Sequence, residues 1–143
     1  MAVITFTESE VARCHPHAQD EAFNVRLIAS GVAGHAVYQD PTTGGYALAV
    51  ATASGTAGFR GIMLESNLAS GTVSVLRRGV LYGYDLSGMS YDAPVYLSDT
   101  PGMLADAAGS VSVLVGRVIS VNDKAMSKVV YIDAELASAG DLG

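Results

Sequence analysis

The stretch "APVYLSDTPGMLAD" (residues 93–106) decides the fold, because "AVYQDPTTGGYALA" (residues 36–49) repeats its order of features. Each has a Val-Tyr pair, Val37-Tyr38 and Val95-Tyr96, and then an Asp with a Pro close by, Asp40 with Pro41 and Asp99 with Pro101. Each continues to a Gly (Gly45, Gly102) and a Leu-Ala pair (Leu48-Ala49, Leu104-Ala105). Further on, each reaches a Gly beside an Arg, in "FRGIML" around Gly61 and in "VGRVIS" around Gly116. Val and Tyr favour extended backbone, whereas Asp, Pro and Gly favour turns, so each copy reads as a hairpin. Two such hairpin units related by pseudo-symmetry close a small barrel or a two-sheet sandwich and remove exposed strand edges.

The text on either side agrees. "VRLIA" (25–29), "TVSVL" (72–76), "GVLYG" (79–83), "SVSVLVGRVISV" (110–121) and "KVVYID" (128–133) are short and rich in Val, Ile, Leu and Tyr. Turn clusters such as "TASGTAG", "NLASG" and "DLSGMS" separate them, at the roughly 8–12-residue spacing of an all-β sandwich or barrel. Nothing between residues 30 and 133 keeps a helical period with caps at both ends. The expectation is an all-β domain over 25–134, preceded by an extended N-terminal arm over 1–24 and followed by a small, polar, flexible tail over 135–143.

With 143 residues the chain fits one domain that buries its own core. Half of the residues are apolar and 15% are charged, yet no run is long enough for a membrane helix. A subunit interface is the natural place for the apolar surplus. The net charge of −6, with Lys124 and Lys128 the only lysines, disfavours a nucleic-acid partner. The lone Cys14 cannot form an internal disulfide, and the N-terminus lacks the basic-then-apolar layout of a secretory signal, so folding in a cytoplasm is expected.

Candidates for chemistry are few. "CHPHAQD" gathers Cys14, His15, His17 and Asp20, but a zinc tetrahedron ordinarily takes a second ligand pair elsewhere, and only His35 remains. The cluster therefore reads as a polar arm, with no metal and no cofactor. No serine sits in a nucleophile elbow, and there is no phosphate loop or dinucleotide fingerprint. A catalytic role is not expected.

The words "AGHAVYQDPTTGGYALA", "GFRGIMLESNLASGTVSVLRRGVL", "DAPVYLSDTPGMLAD" and "VSVLVGRVISV…VVYID", in that order, resemble those of tailed-bacteriophage capsid decoration (cement) proteins. The resemblance covers roughly residues 31–133. It implies a compact, non-catalytic β domain, commonly a homotrimer, seated on the exterior of the expanded capsid with the major capsid protein as partner. Met63 and Glu65 stand where that group has small residues, which marks "LESNLASG" as specialised, and the arm 1–24 has no counterpart in the pattern.

Two sets of residues are candidates for shell or subunit contact. In "MAVITF", Val3 and Thr5 alternate with Ala2, Ile4 and Phe6, so a free arm strand could add to a partner's sheet edge and bury Ile4 and Phe6 there. Arg77 and Arg78 follow a strand and point opposite ways, one toward an interface ion pair and one toward solvent. The alternative is a phage fibre or adhesin module that binds a host surface or glycan, for which Tyr82, Tyr84 and Asp85 are the candidate residues.

Overall fold

The computed structural model describes residues 3–13, 21–120 and 128–134. The described residues are β-strands joined by turns, as the sequence predicts, with two short 3-10 turns at Glu8–Glu10 and Ser54–Thr56. The strands are β1 (Val3–Ile4), β2 (Ala12–Arg13), β3 (Glu21–Arg26), β4 (Ala36–Gln39), β5 (Tyr46–Leu48) and β6 (Phe59–Met63). β7 (Thr72–Tyr82), β8 (Pro94–Leu97), β9 (Leu104–Ala105), β10 (Leu114–Ser120) and β11 (Lys128–Asp133) complete them. All pair antiparallel in one curled sheet of order β1-β9-β8-β10-β11-β7-β6-β4-β5, with β2 and β3 laid along β7.

Without β1, that order reads alike from both ends: β9-β8-β10-β11 mirrors β5-β4-β6-β7. The repeated words occupy matching stations. Tyr38 lies opposite Ala47 and Tyr96 opposite Ala105. Val37 lies opposite Gly61 and Val95 opposite Gly116, and each pairing steps over one residue next to the Tyr. Ile62 opposite Leu76 and Met63 opposite Val75 match Arg117 opposite Tyr131 and Val118 opposite Val130. The register corrects two details of the sequence alignment. Gly102 matches Gly44, both with φ of 77°, and Leu104-Ala105 matches Tyr46-Ala47.

Both central glycines exist for the same reason. A Cβ on Gly61 would lie 2.6 Å from the Leu76 carbonyl oxygen, and one on Gly116 would overlap the Tyr131 carbonyl oxygen. Leu76 and Tyr131 are matching positions, so in each unit the third strand passes closest to the same carbonyl of the fourth at a residue that has no side chain.

The main core holds Phe59, Ile62, Leu76, Leu81, Leu97, Leu104, Val115, Val130 and Ile132, all essentially inaccessible to solvent. Each such side chain contributes about 1.5–3 kcal/mol by leaving water. A smaller core joins Val37, Met63, Val73 and Val75 of the first unit to Val25 of β3 and Leu27 just after it. The end hairpins clasp each other through backbone bonds: Ala36 N–H to Gly102 O (2.8 Å), Gly102 N–H to Ala49 O (2.7 Å) and Ala51 N–H to Ser98 O (2.9 Å).

The described part of residues 1–24 is not a free arm. β1 pairs with β9, Thr7 N–H reaches Gly83 O and Asp85 N–H reaches Thr5 O, so the segment completes the chain's own sheet. β3 begins at Glu21 and pairs with β7 through Arg26. "EAFN" is polar enough to resemble linker, but an edge strand needs only one covered face. Leu27 and Tyr46 then form a parallel bridge, so the N-terminal region closes the first unit at β5 as it closes the second at β9.

"TVSVL" and "GVLYG" are one strand, not two. β7 runs unbroken for 11 residues, pairing first with β6 and then with β11. The hand-over falls at Arg77-Arg78, where charged side chains leave the core without supplying any turn chemistry.

Candidate functional site

Of the expected contact residues, Ile4 is 5% exposed and belongs to the main core. Phe6 packs against that core, edge-on to His35 (centroids 5.6 Å apart) and tilted on Tyr84 (5.4 Å). Its ring occupies space that a side chain on Gly34 would take, since a Cβ there would come within 2.5 Å of it. The expectation that Ile4 and Phe6 are buried across a subunit boundary is therefore corrected: within its own chain Ile4 is already buried and Phe6 already half-buried against the core. The alternation in "MAVITF" holds, however, and leaves Val3 on the outer side, 39% exposed.

Arg77 is exposed. Arg78 lies opposite Asp133 on β11, with Nε 3.5 Å from Oδ1, so the ion pair expected at an interface lies within the chain. Tyr131 donates its hydroxyl to Asp133 Oδ2 (3.1 Å), and partial burial with the Asp133 charge raises the Tyr131 pKa. The two sets occupy different stations of β7: Phe6 bridges Tyr84 beyond its end, whereas the arginines mark its middle. The Cys14, His15, His17 and Asp20 cluster and the tail 135–143 lie outside the described residues. Among the described residues, no group of three or more His, Cys, Asp or Glu side chains is placed to hold a metal.

The aromatic candidates of the adhesin reading are displayed poorly. Tyr84 is buried and donates its hydroxyl to Gly34 O at 2.7 Å, and burial pushes its ionisation far above the ordinary range. Tyr82 is half-buried beside Val80 and Val129. Asp85 is exposed, with its carboxyl held below the usual range by the Ser87 hydroxyl and N–H.

The stretch "LESNLASG" gives the clearest outward-facing feature. Leu68 is 74% exposed at the tip of a turn that is firmly held. Asn67 and Gly31 exchange two backbone bonds of 3.0 Å, Ser70 N–H reaches Leu27 O at 2.7 Å, and Gly71 N–H reaches Leu68 O. The Asn67 side chain accepts from Leu68 N–H (2.8 Å) and donates to Thr72 O (3.3 Å). Ser70 takes φ of 71°, a conformation that costs a non-glycine residue energy and persists only where its surroundings fix it.

Beside this turn lies an open groove of about 710 Å³ whose lining includes Glu8, Val11, Leu64, Glu65 and Ser66. Both carboxylates are tied. Ser66 Oγ donates to Glu8 Oε2 at 2.5 Å while accepting from Ala33 N–H, and Glu65 Oε1 accepts from Ser74 N–H at 2.7 Å. The Ser66 hydroxyl thus clamps the N-terminal segment to the loop after β6. With Leu68 at its tip and Glu8 and Glu65 at its base, the region can offer a partner one apolar contact flanked by negative charge.

Comparison with protein-family models, with curated proteins and with solved structures finds no match to this chain.

Proposed function

We propose that the chain is a structural virion protein that binds the outer surface of a tailed-phage capsid as a homotrimer and stiffens the shell. The observation that carries this reading is the ordered set of family-like words, from "AGHAVYQD" to "VVYID". Supporting it are the apolar surplus of the composition and the acidic net charge, which disfavours the packaged genome as partner. With Ile4 and Phe6 committed to the core, attachment to the major capsid protein falls to outward-facing groups. Leu68 on its rigid turn comes first, then Val3 and Arg77.

The test has two parts. Analytical ultracentrifugation should give a species three times the mass of the chain. Co-sedimentation with undecorated expanded capsids should carry the protein down in saturable amounts. A monomer that also stays in the supernatant would sink the proposal.

The adhesin reading retains one feature of its own. Tyr91 is 43% exposed, with the Lys128 ammonium 5.3 Å from its ring centroid, and the neighbouring Asp92 side chain is 85% exposed. An aromatic face beside a carboxylate suits a sugar ring. Binding to host cells, without binding to capsids, would favour that reading.

A further inference from the structure

His35 stands where three separate parts of the chain meet. It precedes β4 and forms a tight turn with Val32: His35 N–H donates to Val32 O, and Val32 N–H donates to His35 Nδ1, both at 3.1 Å. Because Nδ1 is an acceptor, the neutral ring carries its proton on Nε2. The His35 carbonyl accepts from Met63 N–H, which fixes the residue to the end of β6.

Each neighbouring element is shaped to the ring. The N-terminal segment presents the Phe6 ring edge-on, together with the charge of Glu8, whose carboxylate is held by Ser66. The segment after β7 supports these neighbours: Tyr84 tilts on Phe6 and donates its hydroxyl to the carbonyl of Gly34, the residue before His35. The turn between β8 and β9 presents Gly102, where a Cβ would come within 2.9 Å of His35 Cδ2. Asp99 of the same turn faces elsewhere, accepting from Ser110 N–H and Oγ.

We propose that His35 is an acid-sensitive latch, and that its protonation releases both the N-terminal strand and the turn of the second hairpin while the rest of the sheet stays paired. Protonation puts a hydrogen on Nδ1, so two N–H donors would face each other where one bond existed. The ring must then leave its seat or lose the Val32 turn, and the contacts with Phe6 and Gly102 go with it.

The direction of the effect follows from the surroundings. Burial lowers the His35 pKa from its usual 6.5, and the Glu8 charge opposes this only in part. A group whose folded pKa lies below its unfolded value stabilises the fold fully above the unfolded value. That contribution is lost as pH falls through 6.5 toward the folded pKa. The latch is therefore closed at neutral pH and opens on the acid side.

The test is hydrogen–deuterium exchange of the full chain at about pH 7.5 and about pH 5, either side of the histidine range and corrected for the intrinsic pH dependence of exchange. Peptides over residues 3–7 and 100–104 should lose protection several-fold at the lower pH, while residues 114–120 should not. His35→Asn offers Val32 an acceptor that does not titrate, so it should lose the response, whereas His15→Gln with His17→Gln should keep it. An NMR titration of the wild-type imidazole should give the same midpoint as the loosening, which tests the latch even if His35→Asn fails to fold. Unchanged protection in the wild type, the same acid loosening in His35→Asn, or midpoints that disagree would each overturn the proposal.

Discussion

The units β4–β7 and β8–β11 share a register but not a fate. In the first, Val37, Met63 and Val75 enclose the smaller core, while Ala36, Ile62 and Leu76 pack into the main one. In the second, the matching Val95, Val118 and Val130 face the main core, but Pro94, Arg117 and Tyr131 stand where Ala36, Ile62 and Leu76 do. Arg117 is exposed and binds the Asp92 carbonyl at 2.7 Å. The first unit buries a six-residue second core on its other side, whereas the second has there only a small cluster, Val129 with Ile119 and Tyr131 against Val80, beside the exposed Arg117. The repeated words therefore specify pairing, and the residues between them specify which unit is enclosed.

The sharpest way to break this comparison is to exchange the discriminating residues. Ile62→Arg would bury an unpaired charge and should cost more than about 4 kcal/mol, enough to unfold the chain. Arg117→Ile should change stability by less than about 1 kcal/mol, as exposed positions do. Urea unfolding of both variants decides it, and similar costs would remove the distinction between the units. Next come the glycines that the units share. Gly61→Ala and Gly116→Ala should each cost about 3 kcal/mol, because backbone carbonyls occupy the space a methyl needs. A tolerated Gly116→Ala would mean that the two bulges are not equivalent.

Ile4→Ala should cost about 2–4 kcal/mol by leaving a cavity, against less than about 0.5 for Val3→Ala next to it. Equal, small losses would restore the free-arm reading. At the seam, Arg78 faces Asp133, 55 residues on, the same separation that relates Gly61 to Gly116 (116 − 61 = 55) and Leu76 to Tyr131 (131 − 76 = 55). A seam residue thus faces its own counterpart, where identical charges would repel. A double-mutant cycle on Arg78 and Asp133 should give a coupling of about 0.5–1 kcal/mol, modest because the arginine is partly exposed and solvent-screened.

The strands and the doubling were legible because both rest on local chemistry: β-branched runs, turn residues, and Val-Tyr followed by Asp, Pro and Gly. The destination of "MAVITF" was not. A short strand with one apolar face looks the same whether it completes its own sheet or a neighbour's. What decides between them is the absent side chain of Gly34 and the open edge at Gly83–Asp85, far along the sequence. Arg77-Arg78 misled in the opposite way, since two charges in a row suggest an end where the backbone simply continues. The Leu68 turn stands out in the sequence because Met63 and Glu65 depart from the pattern of the decoration proteins that the chain resembles, but the turn is held by Leu27 and Gly31, which no local reading would connect to it.

A change with an equally small expected effect on stability is the most telling for the proposed function. Leu68→Ser should alter unfolding by less than about 0.5 kcal/mol, since the side chain is already in water, yet it should weaken capsid binding several-fold in co-sedimentation. Unaltered binding would transfer attachment to Val3 and Arg77.

The most direct measurement is electron cryomicroscopy of undecorated expanded capsids mixed with the intact protein. Three copies should appear around the threefold or quasi-threefold positions of the outer surface, with the Asn67–Gly71 turns directed at the shell. Capsids without added density, or density only on tail fibres when whole virions are imaged, would contradict the account.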